Sequence, residues 1–441
     1  MQNNFNAAVL TLGCRVNQYE SDCIISEFIN LGFNIKDFND ICDVYVINTC
    51  TVTAASDKKS RQMIRRAKKL NPDALIAVCG CLSQREPDII QADIIFGASE
   101  KVKIPQTALD ILTNNNIDVM KSEAKRVRPP PELYENINAY NSEKTRAYIK
   151  IQDGCGAKCS YCIIPQVRGG VKSRKYADIY AEIERFDALN YHEIVLTGIE
   201  ISSYGKDLEN IDLISLLEKL DSEQDLDNII SIRLSSLDPS VITKDFIDRL
   251  SKLNKIANHF HLSVQSGSAK ILNLMRRKYN PDTIIKNIER AKEKIKDLNI
   301  TADIIAGFPG ETNEDFCETI EIIKILNIYR AHIFVYSKRP GTDAAGFDGQ
   351  IEESVKKSRS KKLSEVCEKI REKIHENNLG KEFDVIIEDY NKSGKTGFYT
   401  AKTRNFLDVK INACEEENNS GETKKIKIKD YNKNYLTGEI I

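Results

Sequence analysis

The sequence predicts an α/β protein in three parts: an N-terminal doubly wound parallel sheet, a central partial (β/α)6 barrel and a small C-terminal antiparallel β-barrel. Three observations predict it. Strand-length apolar runs alternate with helical-period segments over residues 1–125 and again, in six units, over residues 140–375. A stiff stretch, Arg126, Val127, Arg128 and then Pro129, Pro130 and Pro131, divides these two regions. From 378 to 441 the pattern changes to short β-rich runs.

In the first region, strands are expected at 5–12, 43–48, 75–79 and 94–97. Tyr19, Ile24, Ile25, Phe28 and Leu31 share one helical face that stops at Gly32, and a second helix spans 54–70 before Asn71-Pro72. The region closes near Lys121. Strands of the second region are expected at 147–152, 193–198, 230–235, 259–265, 301–307 and 331–336, with helices such as 176–190 and 281–295 between them. Periodicity alone leaves a flat doubly wound sheet open as the alternative to a barrel. A charged helix from 352 to 375 leads through Gly380 to β runs at 383–387, 397–400, 406–411 and 424–429. Asn-rich stretches at 114–116 and 417–420 read as loop tips.

The chain has 441 residues, which at roughly 100–200 residues per domain implies two to four domains. Lys+Arg is 64 against 65 Asp+Glu, so a wholly basic, histone-like protein is excluded. No apolar run approaches the roughly 18 residues of a membrane span, and the first eight residues lack the charge and apolar core of a secretory signal. The expectation is a cytoplasmic protein with no membrane partner. Its 12 cysteines are then better candidates for metal or catalytic roles than for disulfides.

Cys155, Cys159 and Cys162 lie in DGCGAKCSYC, directly after an expected strand. Gly154 and Gly156 let the backbone bend close around a cluster. A four-iron cluster normally takes four cysteines, so three leave one iron open for chemistry. A zinc site wants four ligands, and the next His and Cys, His192 and Cys317, are distant. Cys14, Cys50 and Cys81 each follow a strand of the first region, in TLGCRVNQYES, VINTCTVT and AVCGCL. A doubly wound sheet gathers its strand ends at one crevice, so these thiols either converge on one ligand or are unrelated core cysteines. Cys23, Cys42, Cys79, Cys317, Cys367 and Cys414 read as structural or exposed.

The C-x3-C-x2-C spacing with Tyr161 before the last cysteine resembles the radical S-adenosylmethionine superfamily. That resemblance implies a [4Fe-4S] cluster that binds and reductively cleaves S-adenosylmethionine. It implies an adenine contact for Tyr161 and further cofactor contacts at strand ends: Gly198, Glu200, Ser235, Gln265 and Gly307. Thr197-Gly198-Ile199-Glu200 departs from the family's Gly-Gly-Glu run. TLGCRVNQYES, INTCTVT and Gly80-Cys81 resemble the methylthiotransferase branch. In that branch Cys14, Cys50 and Cys81 hold a second [4Fe-4S] cluster that delivers sulfur.

Lys58, Lys59, Arg61, Arg65, Arg66, Lys68 and Lys69 form a run with no acidic member, while Met63, Ala67 and Leu70 can face a core. Such a run is commonly a solvated face, and its self-repulsion also suits a polyanion. Arg168, Lys172, Arg174 and Lys175, and later Arg276, Arg277 and Lys278, add cations near the cluster loop. The C-terminal module mixes Lys395, Phe398, Tyr399, Lys402, Arg404 and Phe406 and resembles the RNA-binding β-barrel (TRAM-like) of many tRNA-modifying enzymes. Candidate RNA contacts are Lys58, Lys59, Arg61, Arg65, Arg66, Phe398, Tyr399 and Arg404.

The resemblance implies a tRNA methylthiotransferase acting beside the anticodon at position 37. TLGCRVNQYES and INTCTVTAASDKKSRQ resemble the threonylcarbamoyl branch, with 2-methylthio-N6-threonylcarbamoyladenosine as product. The alternatives are N6-isopentenyladenosine and a ribosomal-protein aspartate. Expected partners are tRNA, a one-electron reductant such as flavodoxin or ferredoxin, and a sulfur donor. A ferredoxin-type carrier would need fully ligated clusters, and an RNA-binding protein with structural zinc would contain no iron.

Overall fold

The computed structural model describes residues 4–113, 125, 127–140, 145–393, 396–413 and 420–441. The positions 114–116, Lys121, Arg126, Lys395, Cys414 and 417–419 lie outside the described residues.

The N-terminal sheet is parallel, in the order β2-β1-β3-β4-β5. It is built from β1 (Asn6–Thr11), β2 (Asn34–Ile35), β3 (Val44–Thr49), β4 (Leu75–Gly80) and β5 (Ile94–Ile95). The two central strands, VYVINT and LIAVCG, are buried throughout because helices cover both faces. Alternation then divides them: Val44 and Val46 enter one core, Tyr45 and Ile47 the opposite one. Helix α1 (Arg15–Asn30) covers the first face and α2 (Ala54–Leu70) the second. Thr53 caps α2 by accepting from the Ser56 N–H. Helices α3 (Cys81–Arg85) and α4 (Ile104–Thr113) complete the layer. The short strand β2 lies at the sheet edge, too brief for an alternation signal in the sequence.

The central region consists of two sheets, β7-β6-β8-β9 and β10-β11-β12-β13. The strands β6 (Ala147–Asp153), β8 (Glu193–Gly198), β9 (Ser231–Leu234), β11 (His259–Gln265), β12 (Asn299–Ala306) and β13 (Ile328–Val335) match the six expected. The third is interrupted. β9 pairs with β8, while β10 (Ser236–Leu237) pairs with β11, and Ser235 sits at the change of sheet. The short β7 (Lys172–Ser173) adds an antiparallel edge to β6. The connecting helices are α5 (Ile164–Arg168), α6 (Tyr176–Ala188), α7 (Leu213–Ser222), α8 (Lys244–Leu250), α9 (Ala269–Leu274), α10 (Pro281–Lys294) and α11 (Asn313–Ile325). α11 begins with a reciprocal capping box between Thr312 and Asp315. α12 (Glu353–Glu376) packs Leu363 and Cys367 into the same core, and Tyr19 of α1 reaches it from the other domain.

The C-terminal module closes fully, in the order β14-β15-β16-β18-β17. Its strands are β14 (Glu382–Ser393), β15 (Thr396–Thr403), β16 (Asp408–Ala413), β17 (Thr423–Tyr431) and β18 (Leu436–Ile440). Two features differ from the sequence expectation. β16 and β18 pair in parallel, so the barrel is not wholly antiparallel. Phe406 precedes its strand, with φ +71°, and projects toward the central region.

The N-terminal and central domains share a buried ion-pair network. Glu20 of α1 accepts from Lys101, from Lys150 Nζ at 2.8 Å and from Arg168 Nη1 at 2.8 Å. Asp153 pairs with Lys150 at 2.6 Å and with Arg168 at 3.1 Å. Burial alone raises a carboxyl pKa, but Arg168, Lys101 and Lys150 outweigh it and hold Glu20 well below the usual range. Its stabilisation is therefore fully present above the unfolded-state pKa of about 4.3 and is lost as pH falls through the lower folded value. Glu20→Gln leaves buried cations underpaired and should cost about 3–5 kcal/mol. Urea unfolding at pH 7 measures this, and the gap between the two proteins should narrow only well below pH 4.

A two-domain cleft lined by cysteines

The ends of β1, β3 and β4 fall side by side because these strands are parallel neighbours in register. Cys14 follows β1 as the N-cap of α1, Cys50 follows β3 directly, and Cys81 opens α3 after β4. Gly13 has φ +101°, and a Cβ there would stand 2.9 Å from Cys50 Sγ. Only glycine lets the two cysteine loops approach this closely. Asn17 Nδ2 fastens them, donating to Leu12 O at 2.7 Å and Thr49 O at 3.0 Å. Thr49 in turn donates to Cys79 O at 2.6 Å and accepts from Leu82 N at 3.2 Å. Burial, with added push from Cys81 and Cys14, raises the Cys50 thiol to about 11. Cys81 thus lies close enough to act on both Cys14 and Cys50, and a bound cation would offset that repulsion.

The second set forms one compact loop after β6. Gly154 has φ +67°, and a Cβ there would lie 1.8 Å from Gly170 O. Cys155 N donates to Gly169 O at 3.0 Å, and Cys162 N to Cys159 O at 3.1 Å. Burial, then Cys159 and Cys155, raise the Cys162 thiol to about 12. Arg277 Nη1 donates to Cys159 Sγ at 3.3 Å while its Nη2 pairs with Asp238 at 2.7 Å. The sequence reading placed Arg277 among surface cations, whereas the structure makes it a buried partner of the cysteine loop. Arg168, Lys172 and Arg174 are likewise buried, the first paired with Glu20 and the last with Glu182. The sequence carries no signal for such pairings, since Arg168 and Glu20 are 148 residues apart.

Beside Cys14 and Cys50 of the first set and Tyr161 of the second loop runs a cleft formed by two adjoining cavities. One of about 420 Å³ is lined by Cys14, Cys50, Gly198, Ser235, Asp303 and Phe334 among others. The other, of about 310 Å³, adds Tyr161, Gln265, Ile305 and Tyr336. Cys14, Gly198, Asp303 and Phe334 line both. Tyr161 meets Phe308 edge-on at 6.3 Å. Gln265 ends β11 with φ +62°, a conformation unusual for a residue with a side chain. Gln152, unmarked in the sequence reading, accepts from Glu200 N at 2.8 Å and donates to Gly154 O at 2.7 Å, joining Glu200 to the cysteine loop. Burial raises the Glu200 carboxyl. Among the described residues, its Oε1 and the Ser235 Oγ are buried without hydrogen-bond partners. Such orphaned oxygens fit a ligand carrying ammonium and hydroxyl groups. Gly307 instead occupies a turn, donating to Glu311 at 3.0 Å, with Lys356 Cγ 2.4 Å from where a Cβ would stand.

On the outer surface, α2 presents Lys58, Lys59, Arg65, Arg66, Lys68 and Lys69 to solvent, with Arg61 half-buried. None of the seven forms an ion pair among the described residues. On the C-terminal barrel, Lys410 Nζ stands 3.8 Å over the Phe398 ring and 4.1 Å over Tyr435. Two expected RNA contacts are differently employed. Tyr399 is 3% exposed, in the barrel core. Arg404 donates to Asn254 O and to Ile256 O, the latter at 3.0 Å, at the boundary with the central domain.

A family model described as the Radical SAM superfamily matches residues 149–323. Models described as Uncharacterized protein family UPF0004 and TRAM domain match 6–97 and 376–441. Threonylcarbamoyladenosine tRNA methylthiotransferase MtaB of Bacillus subtilis is 36% identical over 417 residues, covering 92% of this chain and 90% of the relative. The Aquifex aeolicus protein of the same name is 35% identical, covering 92% and 96%. The tRNA-2-methylthio-N(6)-dimethylallyladenosine synthase of Clostridium tetani is 36% identical, covering 91% and 90%. The fold is similar to that of the radical S-adenosylmethionine methyltransferase TsrM of Kitasatospora setae, with TM-score 0.55 and 14% identity over 78% of this chain and 77% of that one. With relatives this similar along almost its whole length, the chain belongs to the radical S-adenosylmethionine methylthiotransferases, enzymes whose cofactors are S-adenosylmethionine and [4Fe-4S] clusters.

Proposed function

We propose that this enzyme methylthiolates N6-threonylcarbamoyladenosine beside the anticodon of tRNA, yielding the 2-methylthio derivative. The observation that carries the reading is one cleft lined by Cys14 and Cys50 of the first cysteine set and by Tyr161, the chain neighbour of Cys162 in the second. The substrate branch is supported by two relatives, 36% and 35% identical, that are named for threonylcarbamoyladenosine. The Clostridium relative named for dimethylallyladenosine is equally similar at 36%, so a test must separate the branches.

In this reading Cys155, Cys159 and Cys162 hold the cluster beside S-adenosylmethionine, and Cys14, Cys50 and Cys81 hold the other. Bound there, these groups supply hydrogen-atom abstraction, sulfur and a methyl group. The protein's share is placement. Arg277 donates to Cys159 and so stabilises negative charge on that sulfur. Glu200 would meet the ammonium of the cofactor, Ser235 a hydroxyl or carboxylate, and Tyr161 the adenine. Gly198 lets the cofactor approach the strand end. Exposed cations on α2 meet RNA phosphates, and Phe398 with Lys410 and Tyr435 offers a surface for stacking. A one-electron reductant of flavodoxin or ferredoxin type and a separate sulfur donor complete the turnover. Among the described residues no helix is long and apolar enough to cross a membrane, and a cytoplasmic setting suits a tRNA substrate.

Three outcomes are expected. Anaerobic reconstitution should give about eight irons per chain, and replacing Cys155, Cys159 and Cys162 together by Ala should leave about half. Loss of all iron, or zinc in its place, would contradict the assignment. Cys50→Ala should still cleave S-adenosylmethionine reductively yet form no thiolated nucleoside; normal methylthiolation would remove the N-terminal set from the sulfur step. Deleting the gene and profiling tRNA nucleosides by mass spectrometry should abolish 2-methylthio-N6-threonylcarbamoyladenosine. Loss of the isopentenyl product instead would overturn the substrate reading.

A further inference from the structure

The cavity of about 420 Å³ holds a cation with no directly bonded carboxylate. Arg15, the first residue of α1, lines it together with His261, Asp303 and His332. Other arginines near the cleft each have a bonded carboxylate. Arg168 pairs with Glu20, Arg174 with Glu182, Arg233 with Glu193, Arg277 with Asp238 and Arg339 with Asp57. Arg15 makes no hydrogen bond or ion pair among the described residues. The nearby Asp303 acts on Arg15 through space without bonding it, and its Oδ1 accepts from His261 Nε2 at 3.1 Å and His332 Nδ1 at 3.2 Å. A guanidinium facing a cleft, at the positive end of a helix of 16 residues, suits a planar anion.

The histidines extend the pattern. His259 Nε2 and His261 Nδ1 both contact Thr301 Oγ1, at 2.8 and 2.7 Å. With Asp303 accepting from His261 and His332, both His261 nitrogens are engaged. With the Nδ1 of His332 on Asp303, the Nε2 of the neutral ring is free to accept. The His332 side chain is 57% exposed.

We infer that Arg15 grips the carboxylate of the substrate's N6 substituent and that His332 Nε2 accepts its hydroxyl hydrogen. This rests on the threonylcarbamoyl reading above, and it deepens that reading by naming the residues that recognise the substituent. A threonylcarbamoyl group carries both a carboxylate and a hydroxyl. A dimethylallyl group carries neither and would bury Arg15 unpaired, which is unfavourable. Arg15 and His332 thereby become specificity residues, distinct from the cysteine sets.

The test measures binding of the reconstituted, unreduced enzyme to synthetic anticodon stem-loops. The modified base is threonylcarbamoyladenosine, its methyl ester, glycylcarbamoyladenosine or isopentenyladenosine. The wild-type protein should prefer the acid to the ester by about tenfold, the scale of one charge-assisted contact. Arg15→Gln should bring that preference to about one with ester binding retained. His332→Ala should erase the preference for threonylcarbamoyl over glycylcarbamoyl. Either preference surviving its substitution overturns the corresponding contact. If Arg15→Gln does not hold iron, Arg15→Lys replaces it; the acid preference should then fall, and an unchanged preference overturns the forked contact. A wild-type protein that favours the isopentenyl RNA and ignores the carboxylate defeats the substrate reading itself, whatever the variants do.

Discussion

A single buried carboxylate, Glu20, fixes how the two halves of the cleft meet. It lies on α1, whose first turn starts at Cys14 and also carries Asn17, the clamp on the neighbouring strand ends. Its partners come from both sides of the cysteine loop of the central domain: Lys150 lies on the strand entering it, and Arg168 on the helix leaving it. One cysteine set cannot shift relative to the other without breaking these bonds. Three cations, Lys101, Lys150 and Arg168, pair directly with two carboxylates, Glu20 and Asp153, and Glu135 adds a third negative charge acting on Lys101 and Lys150. Burial raises the Cys14 thiol, and Arg168 is the chief influence opposing that rise. The interface that packs the domains therefore also places a cation beside Cys14.

Much of this architecture was legible in the chain, for a physical reason. Buried parallel strands read as continuous apolar runs, and a cysteine directly after such a run must lie at a strand end. That rule puts Cys14, Cys50, Cys81 and Cys155 at strand ends, while the close spacing of Cys159 and Cys162 and the family resemblance complete the two sets. Long-range charge pairing was not legible. Arg168 and Arg277 look like surface cations beside a loop, since their partners Glu20 and Asp238 lie in distant segments. The break at Ser235 was hidden too, because two short strands in one apolar run share a period although they pair with different sheets. In the C-terminal module, alternation could identify strands but not that β16 and β18 run parallel. Arg15 illustrates the same limit: its lack of a partner is a fact about the fold, invisible in TLGCRVNQYES.

The C-terminal barrel docks on the start of a central strand that continues to the cleft. Phe406 stacks on His259 at 4.3 Å, flanked by Arg233 and Lys402 at 5.2 and 4.5 Å from its ring centre. His259 is the first residue of β11, and Gln265, at the cleft, is its last. His261, two residues after His259, lines the cleft. The terminal barrel thus packs on the start of a strand whose later residues face the cleft, and Phe406 is engaged in that contact. Helix α2 has the complementary placement: Thr53, its cap, lines the cleft, and its exposed cations trail away along the outer face. In the proposed reading, RNA backbone held along α2 would bring one base to the cleft. Grip along the helix and recognition of the substituent in the cleft would then fall to different residues.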